Sequence, residues 1–162
     1  MMRGETPPAA QDAPARAPRG RRRHSPRSSE QRPTYPVAFV DASALVALAD
    51  RDDAAHGPAL AAYRQLVANG YRLFTTNYAV AEAYDLLAAG VGSTVARRWL
   101  RDNQLAVYHA DEEDERRARE KLLETESHHP LSLIDAINLV VMERLGVTDA
   151  FAVDPNLLAA TT

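Results

Sequence analysis

Cysteine is absent from all 162 residues, which removes disulfides, thiolate metal sites and cysteine nucleophiles together. A chain without cysteine suits a reducing compartment, and the cytoplasm is the expected location. Long apolar runs are missing too, so no membrane-spanning segment and no secretory hydrophobic region are expected. Lysine is nearly absent: Lys121 is the only one. A phosphate-accepting receiver domain needs a lysine after its last strand, so that reading fits less well. Glycine is scarce, with seven residues, and none forms a glycine-rich loop after an apolar run. Nucleotide-loop enzymes therefore fit poorly.

Charge is present but segregated. Residues 1–35 hold eight Arg against three acids, +5, while the whole chain carries −3, leaving −8 on residues 36–162. Residues 1–34, rich in Pro, Ala, Arg and Ser without periodicity, read as a disordered tail, and residues 35–162 read as one domain. The tail's Arg21-Arg22-Arg23 could touch RNA or an acidic partner. A surface that binds nucleic acid is normally basic, so a domain this acidic needs metal ions to act on one. Arg97, Arg98 and Arg101, and Arg116, Arg117 and Arg119, form local basic clusters that read as solvated helix faces.

What the domain does contain is a regular alternation. Val37-Ala38-Phe39-Val40 suits a strand buried on both faces, and Ser43 then caps a helix over 43–50. A second helix has Pro58 in its first turn, presents Leu60, Tyr63 and Val67, and stops at Asn69-Gly70. Residues 72–75 form a strand, and Thr76 or Asn77 caps a helix with Val80, Ala83 or Tyr84, and Leu87 inward. Ser93 opens a helix presenting Val95, Trp99 and Leu100. Residues 105–108 form a strand, and Asp111 with Asp114 opens a charged helix to about residue 126. Helix 132–145 is apolar nearly all round and therefore buried. Gly146 ends it, and strand 150–153 runs into Asp154. Such alternation means an α/β fold with a largely parallel sheet whose strand C-termini share one rim.

Four acids sit at that rim or early in the helices that leave it: Asp41, Glu82, Asp135 and Asp154. Each has an ordinary explanation. Asp41 can be a cap, Glu82 a solvated helix position, Asp154-Pro155-Asn156 a turn, and Asp135 the partner of Ser132 in a capping box. Together they crowd four carboxylates into one place, and the simplest remedy is a cation that prefers oxygen, Mg²⁺ or Mn²⁺. Such ions support phosphodiester hydrolysis. A haloacid-dehalogenase-type phosphatase fits less well, because Ser43 stands where its second aspartate belongs.

These residues resemble the PIN-domain family. Phe39-Val40-Asp41-Ala42-Ser43-Ala44-Leu45, with Asp53 and His56, is similar to its opening. Thr75-Thr76-Asn77-Tyr78-Ala79-Val80-Ala81-Glu82 is similar to its second block, Leu131 to Val147 to its third, and Ala150-Phe151-Ala152-Val153-Asp154 to its fourth. The likeness spans residues 36–157, although Pro155-Asn156-Leu157 stands where the family usually has a basic or aromatic residue. The resemblance implies a PIN-like three-layer α/β/α domain with a central parallel sheet of four to five strands. It implies a Mg²⁺-dependent (or Mn²⁺-dependent) ribonuclease, the toxin of a type II toxin–antitoxin pair. RNA is then the substrate, a small antitoxin protein the partner and a homodimer the expected assembly. Asp41, Glu82, Asp135 and Asp154 would hold the metal, and Ser43 or Asn77 would orient a water by hydrogen bonding. The alternative is a catalytically weak PIN-like module that binds RNA or a protein.

Overall fold

The apolar run at the start of the domain forms β1 (Val37–Val40), with Ala38, Phe39 and Val40 buried. There follow α1 (Ala42–Ala49), α2 (His56–Ala68), β2 (Arg72–Thr76), α3 (Asn77–Gly90), α4 (Ser93–Asp102), β3 (Ala106–Tyr108), α5 (Glu112–Glu124), α6 (Leu133–Leu145) and β4 (Asp149–Phe151). This computed structural model describes residues 35–124 and 131–154. The expected tail at 1–34, the loop at His128-His129-Pro130 and the residues from Pro155 onward lie outside the described residues.

All four strands are parallel, in the order β3-β2-β1-β4. The chain therefore steps outward from β1 to β2 to β3, then crosses back to lay β4 on the other side of β1. Right-handed crossovers carry the β1–β2 and β2–β3 connections over one face and the β3–β4 connection over the other, with α3 and α6 also in contact. The reversal leaves a switch point between the C-terminal ends of β1 and β4, the usual place for ligands in such sheets.

The core forms where side chains of the central strands meet the helices. Phe39 of β1 packs edge-on against Phe74 of β2, with ring centroids 5.7 Å apart. Helix α6 buries every residue from Ala136 to Met142. At about 1.5–3 kcal/mol for each fully buried large apolar side chain, Ile137, Leu139, Val140, Val141 and Met142 make α6 the main anchor of its face. Thr75 Oγ1, fully buried in β2, donates to Val40 O at 2.8 Å and satisfies the carbonyl at the end of β1.

The structure moves several local assignments. Helix α1 begins at Ala42, and its N-cap is Asp41 rather than Ser43. Helix α2 starts at His56, which keeps Pro58 in its first turn as expected. Strand β4 ends at Phe151, so Asp154 stands beyond the strand in a bend. The register explains this: Val40 pairs with Phe151, and Asp41 N donates to Phe151 O at 3.0 Å before β1 turns into α1. With no partner strand left, β4 cannot continue. In α4, Ala96 is the buried residue, Trp99 is half-buried, and Val95 and Leu100 are exposed. Two expected features stand as read: Thr76 caps α3 by accepting from Ala79 N, and Gly146 closes α6 at a positive φ of 66°.

Candidate active site

The sequence places a small residue and then a hydroxyl after Asp41, and this lets the chain turn from β1 straight into α1. Asp41 is buried, and its Oδ2 accepts from Ser43 N at 3.0 Å and from Ser43 Oγ at 2.6 Å. Its Oδ1 takes no hydrogen bond among the described residues. Ser43 Oγ in turn accepts from Val153 N at 3.0 Å and Asp154 N at 3.2 Å. One hydroxyl thus orients the first acid and pins the backbone that carries the last.

Asp135 repeats the arrangement at the head of α6. Its Oδ2 accepts from Ser132 N at 3.1 Å and Ser132 Oγ at 2.8 Å, while Ser132 Oγ accepts from Asp135 N at 3.0 Å. This is a complete capping box. The structural explanation of Asp135 is therefore realised, yet it occupies only one carboxylate oxygen. The same holds for Asp41: each cap leaves its Oδ1 for another partner.

Glu82 lies in α3, half-buried, with no hydrogen bond or ion pair among the described residues. Burial raises its carboxyl above the ordinary carboxylate range, and the charges of Asp41, Asp135 and Asp154 raise it further, in that order. Four acids drawn from the β1–α1 junction, α3, α6 and the segment after β4 thus share one electrostatic neighbourhood at the rim. Among the described residues, no three acids or histidines are already gathered into a coordination cluster. The donor chemistry nonetheless fits a hard divalent cation: the donors are carboxylate oxygens only, several of them uncommitted, with mutual repulsion that a cation relieves.

The other residues singled out in the sequence have different occupations. Asn77 Oδ1 accepts from Ala110 N at 3.0 Å, tying the head of α3 to the loop after β3. His56 Nδ1 donates to Ala47 O at 2.8 Å, and Asp53 Oδ1 accepts from Ala55 N at 2.7 Å, so both shape the turn between α1 and α2. Asp111 and Asp114 form a reciprocal cap, each carboxylate accepting the other's N–H at 3.0 and 3.1 Å. Arg116 pairs with Glu113 and Glu120, and Arg119 with Glu115, all on the exposed face of α5. A cleft of about 530 Å³ opens beside the site between α1 and α3, lined by Ser43, Val46, Asp50, Leu86, Val153 and Asp154 among others.

Sequence reasoning passed over Asn138, and it read Asp114 as the cap partner of Asp111 on an exposed helix without foreseeing its burial. Asp114 is fully buried and bound by Arg144 at 2.9 Å. Asn138, fully buried in α6, accepts from Thr76 Oγ1 at 2.6 Å. The signal for Asn138 was a lone amide inside the run Ile137 to Val141.

Residues 38–160 match the model of the PIN domain. No curated protein matches the chain. Among solved structures it is similar to VapC20 of Mycobacterium tuberculosis, a sarcin-ricin loop cleaving toxin. The two are 29% identical, the match covers 76% of this chain and 94% of that one, and the TM-score is 0.66.

Proposed function

This chain belongs to the PIN-domain family, and from that premise we infer that it is an endoribonuclease toxin of the VapC kind, with Asp41, Glu82, Asp135 and Asp154 as its metal-holding acids. The observation that carries the reading is the electrostatic neighbourhood of Glu82, whose carboxyl is raised by burial and by those same three aspartates. In a domain that is acidic overall, a part-buried carboxyl facing three like charges is costly unless it serves a cation.

The family implies Mg²⁺ or Mn²⁺ at this place. When bound, the cation supplies water activation and neutralises the charge that develops on a phosphodiester during hydrolysis. The chain's own part is positional. Ser43 holds the Asp41 carboxylate in one orientation and keeps the Asp154 backbone beside it. Ser132 holds Asp135 in the same manner. Glu82, raised above its normal range, must give up any proton it carries before it can serve as a ligand.

A small antitoxin, a homodimeric state and a cytoplasmic location belong to the same proposal. No helix among the described residues is long and apolar enough to cross a membrane. The first RNA to test is the sarcin-ricin loop, because the similar VapC20 cleaves it.

The test is cleavage of purified ribosomes by the full chain in Mg²⁺, beside Asp41→Asn and a chelator control. The expected result is a discrete RNA fragment that both controls abolish. Intact RNA together with tight Mn²⁺ binding would leave a nuclease for another RNA. Intact RNA without Mn²⁺ binding would leave a catalytically weak binding module.

A further inference from the structure

Helix α6 carries one amide in its buried face. Asn138 is fully buried between Ile137 and Leu139, and its Nδ2 has no hydrogen-bond partner. Turning the amide round does not help. A flipped Nδ2 could use the second lone pair of Thr76 Oγ1, which already accepts from Ala79 N at 3.0 Å. The Thr76 proton and Asn138 Oδ1 would then both lose the bond they share now at 2.6 Å, the bond that fixes Nδ2 on the far side. Buried donors without acceptors are rare in folded proteins.

Glu82 is the reciprocal case, a half-buried carboxylate with no donor among the described residues. The two groups are carried by two helices in contact, α3 and α6. Thr76 caps α3, the helix that carries Glu82, and α3 packs against α6. Asn138 follows Asp135 by three residues on α6, a spacing that puts both on the same side of the helix. The Thr76–Asn138 bond therefore joins the head of the helix bearing Glu82 to the head of the helix bearing Asp135. What each orphan lacks, the other has.

We propose that Asn138 is a positioning residue of the acid site, its Nδ2 donating to the Glu82 carboxylate when the site holds a divalent cation. The assignment rests on the metal-site reading above and adds a residue to it. A glutamate on a long side chain has many rotamers, and a donor fixed by Thr76 selects among them. Metal sites commonly depend on such outer hydrogen bonds to orient their ligands.

The experiment is Mn²⁺ calorimetry on the full chain, comparing wild type, Asn138→Leu, Glu82→Ala and the double variant, with melts in chelator. Asn138→Leu is expected to weaken Mn²⁺ binding about 10-fold or more. Its chelator melt should stay near wild type, since one orphan donor is exchanged for another, the Thr76 hydroxyl. In the Glu82→Ala background the same change should have no further effect on affinity, because the amide acts through Glu82. Unchanged Mn²⁺ affinity in Asn138→Leu, or additive losses in the double variant, overturns the proposal. Should the Leu variant fail to fold, the wild-type Asn138 side-chain amide resonances carry the test. They should shift when Mg²⁺ is added, and should not shift in Glu82→Ala. Resonances that Mg²⁺ leaves in place overturn the assignment. A wild type that binds no Mn²⁺ at all is a different failure, that of the metal-site reading itself.

Discussion

Ser43 Oγ stands 2.6 Å from Asp41 Oδ2, and the same hydroxyl receives the backbone N–H groups of Val153 and Asp154. The contact spans the switch point of the sheet, so the first and last acids of the site are set by a single side chain. Ser43→Ala is expected to lower Mn²⁺ affinity about 10- to 100-fold, as loss of outer-shell support does elsewhere. The stability cost should be about 1–3 kcal/mol, since the hydroxyl's three hydrogen bonds are lost while Asp41 still caps α1 through the backbone N–H of residue 43. Calorimetry and urea melts measure the two separately. A large stability loss with unchanged affinity would make Ser43 a fold residue only.

Asp135 has two duties in this structure, and Asn can perform one of them. The carbonyl oxygen of an asparagine can accept from Ser132 N and Ser132 Oγ as Asp135 Oδ2 does now. Asp135→Asn should therefore melt within about 1 kcal/mol of wild type in chelator, the value of a cap being at most comparable. RNA cleavage in Mg²⁺ should fall by orders of magnitude. Ser132→Ala is the mirror control, costing about 1 kcal/mol through the cap while retaining most activity. Full activity in Asp135→Asn would reduce the residue to its capping role.

How far the sequence could be read depended on how local each feature is. The run Val37 to Val40 was legible because a parallel strand buried on both faces shows an unbroken apolar run. The capping box at Ser132 and Asp135 was legible because its partners are three residues apart. Choosing between Asp41 and Ser43 as the cap of α1 was not, since both are good cap residues two positions apart. The end of β4 was hidden because its length is set by β1, distant in sequence. In α4 the apolar residues suggested Val95 and Leu100 as the inner face. Packing against α3 instead buries the small Ala96, so the inward face is rotated from the one the apolar residues suggested. Asn138, and the burial of Asp114 beyond its cap with Asp111, were missed for one reason: their partners, Thr76 and Arg144, lie far along the chain.

Arg144 gives a prediction about stability alone. Its Nη1 bonds Asp111 Oδ2 at 2.8 Å and Asp114 Oδ1 at 2.9 Å, clamping the end of α6 to the start of α5. Asp114 is fully buried while the Arg144 side chain is 41% exposed. Removing the guanidinium strips a buried carboxylate of its counter-charge, a loss of stability that is smaller than for a fully buried pair because water reaches the arginine. Arg144→Leu should show this loss in urea unfolding, and adding Asp114→Asn should recover part of it. Neither change should alter Mn²⁺ affinity. A shift in metal binding would mean that this clamp also positions the acids.

The last prediction concerns pH and follows from the sign of the shift at Glu82. Its carboxyl is raised in the folded protein, first by burial and then by Asp41, Asp135 and Asp154. Between the unfolded and folded values the native state holds the extra proton, so stability must fall as pH rises through that window. The metal-free protein should therefore gain stability on mild acidification from neutral pH, before the remaining carboxylates titrate. Glu82→Gln should remove that gain and be at least as stable as wild type at pH 7, because a neutral amide escapes both repulsion and the burial of charge. Divalent cation should reverse the slope. Binding requires the ionised carboxylate, so Mn²⁺ affinity rises with pH and the loaded protein is stabilised most above the Glu82 window. Melts from about pH 5 to 8, in chelator and in Mn²⁺, should thus give lines that diverge as pH rises. Parallel lines, or a Glu82→Gln protein that keeps the wild-type slope, would take Glu82 out of the metal site and leave its raised carboxyl as a consequence of packing alone.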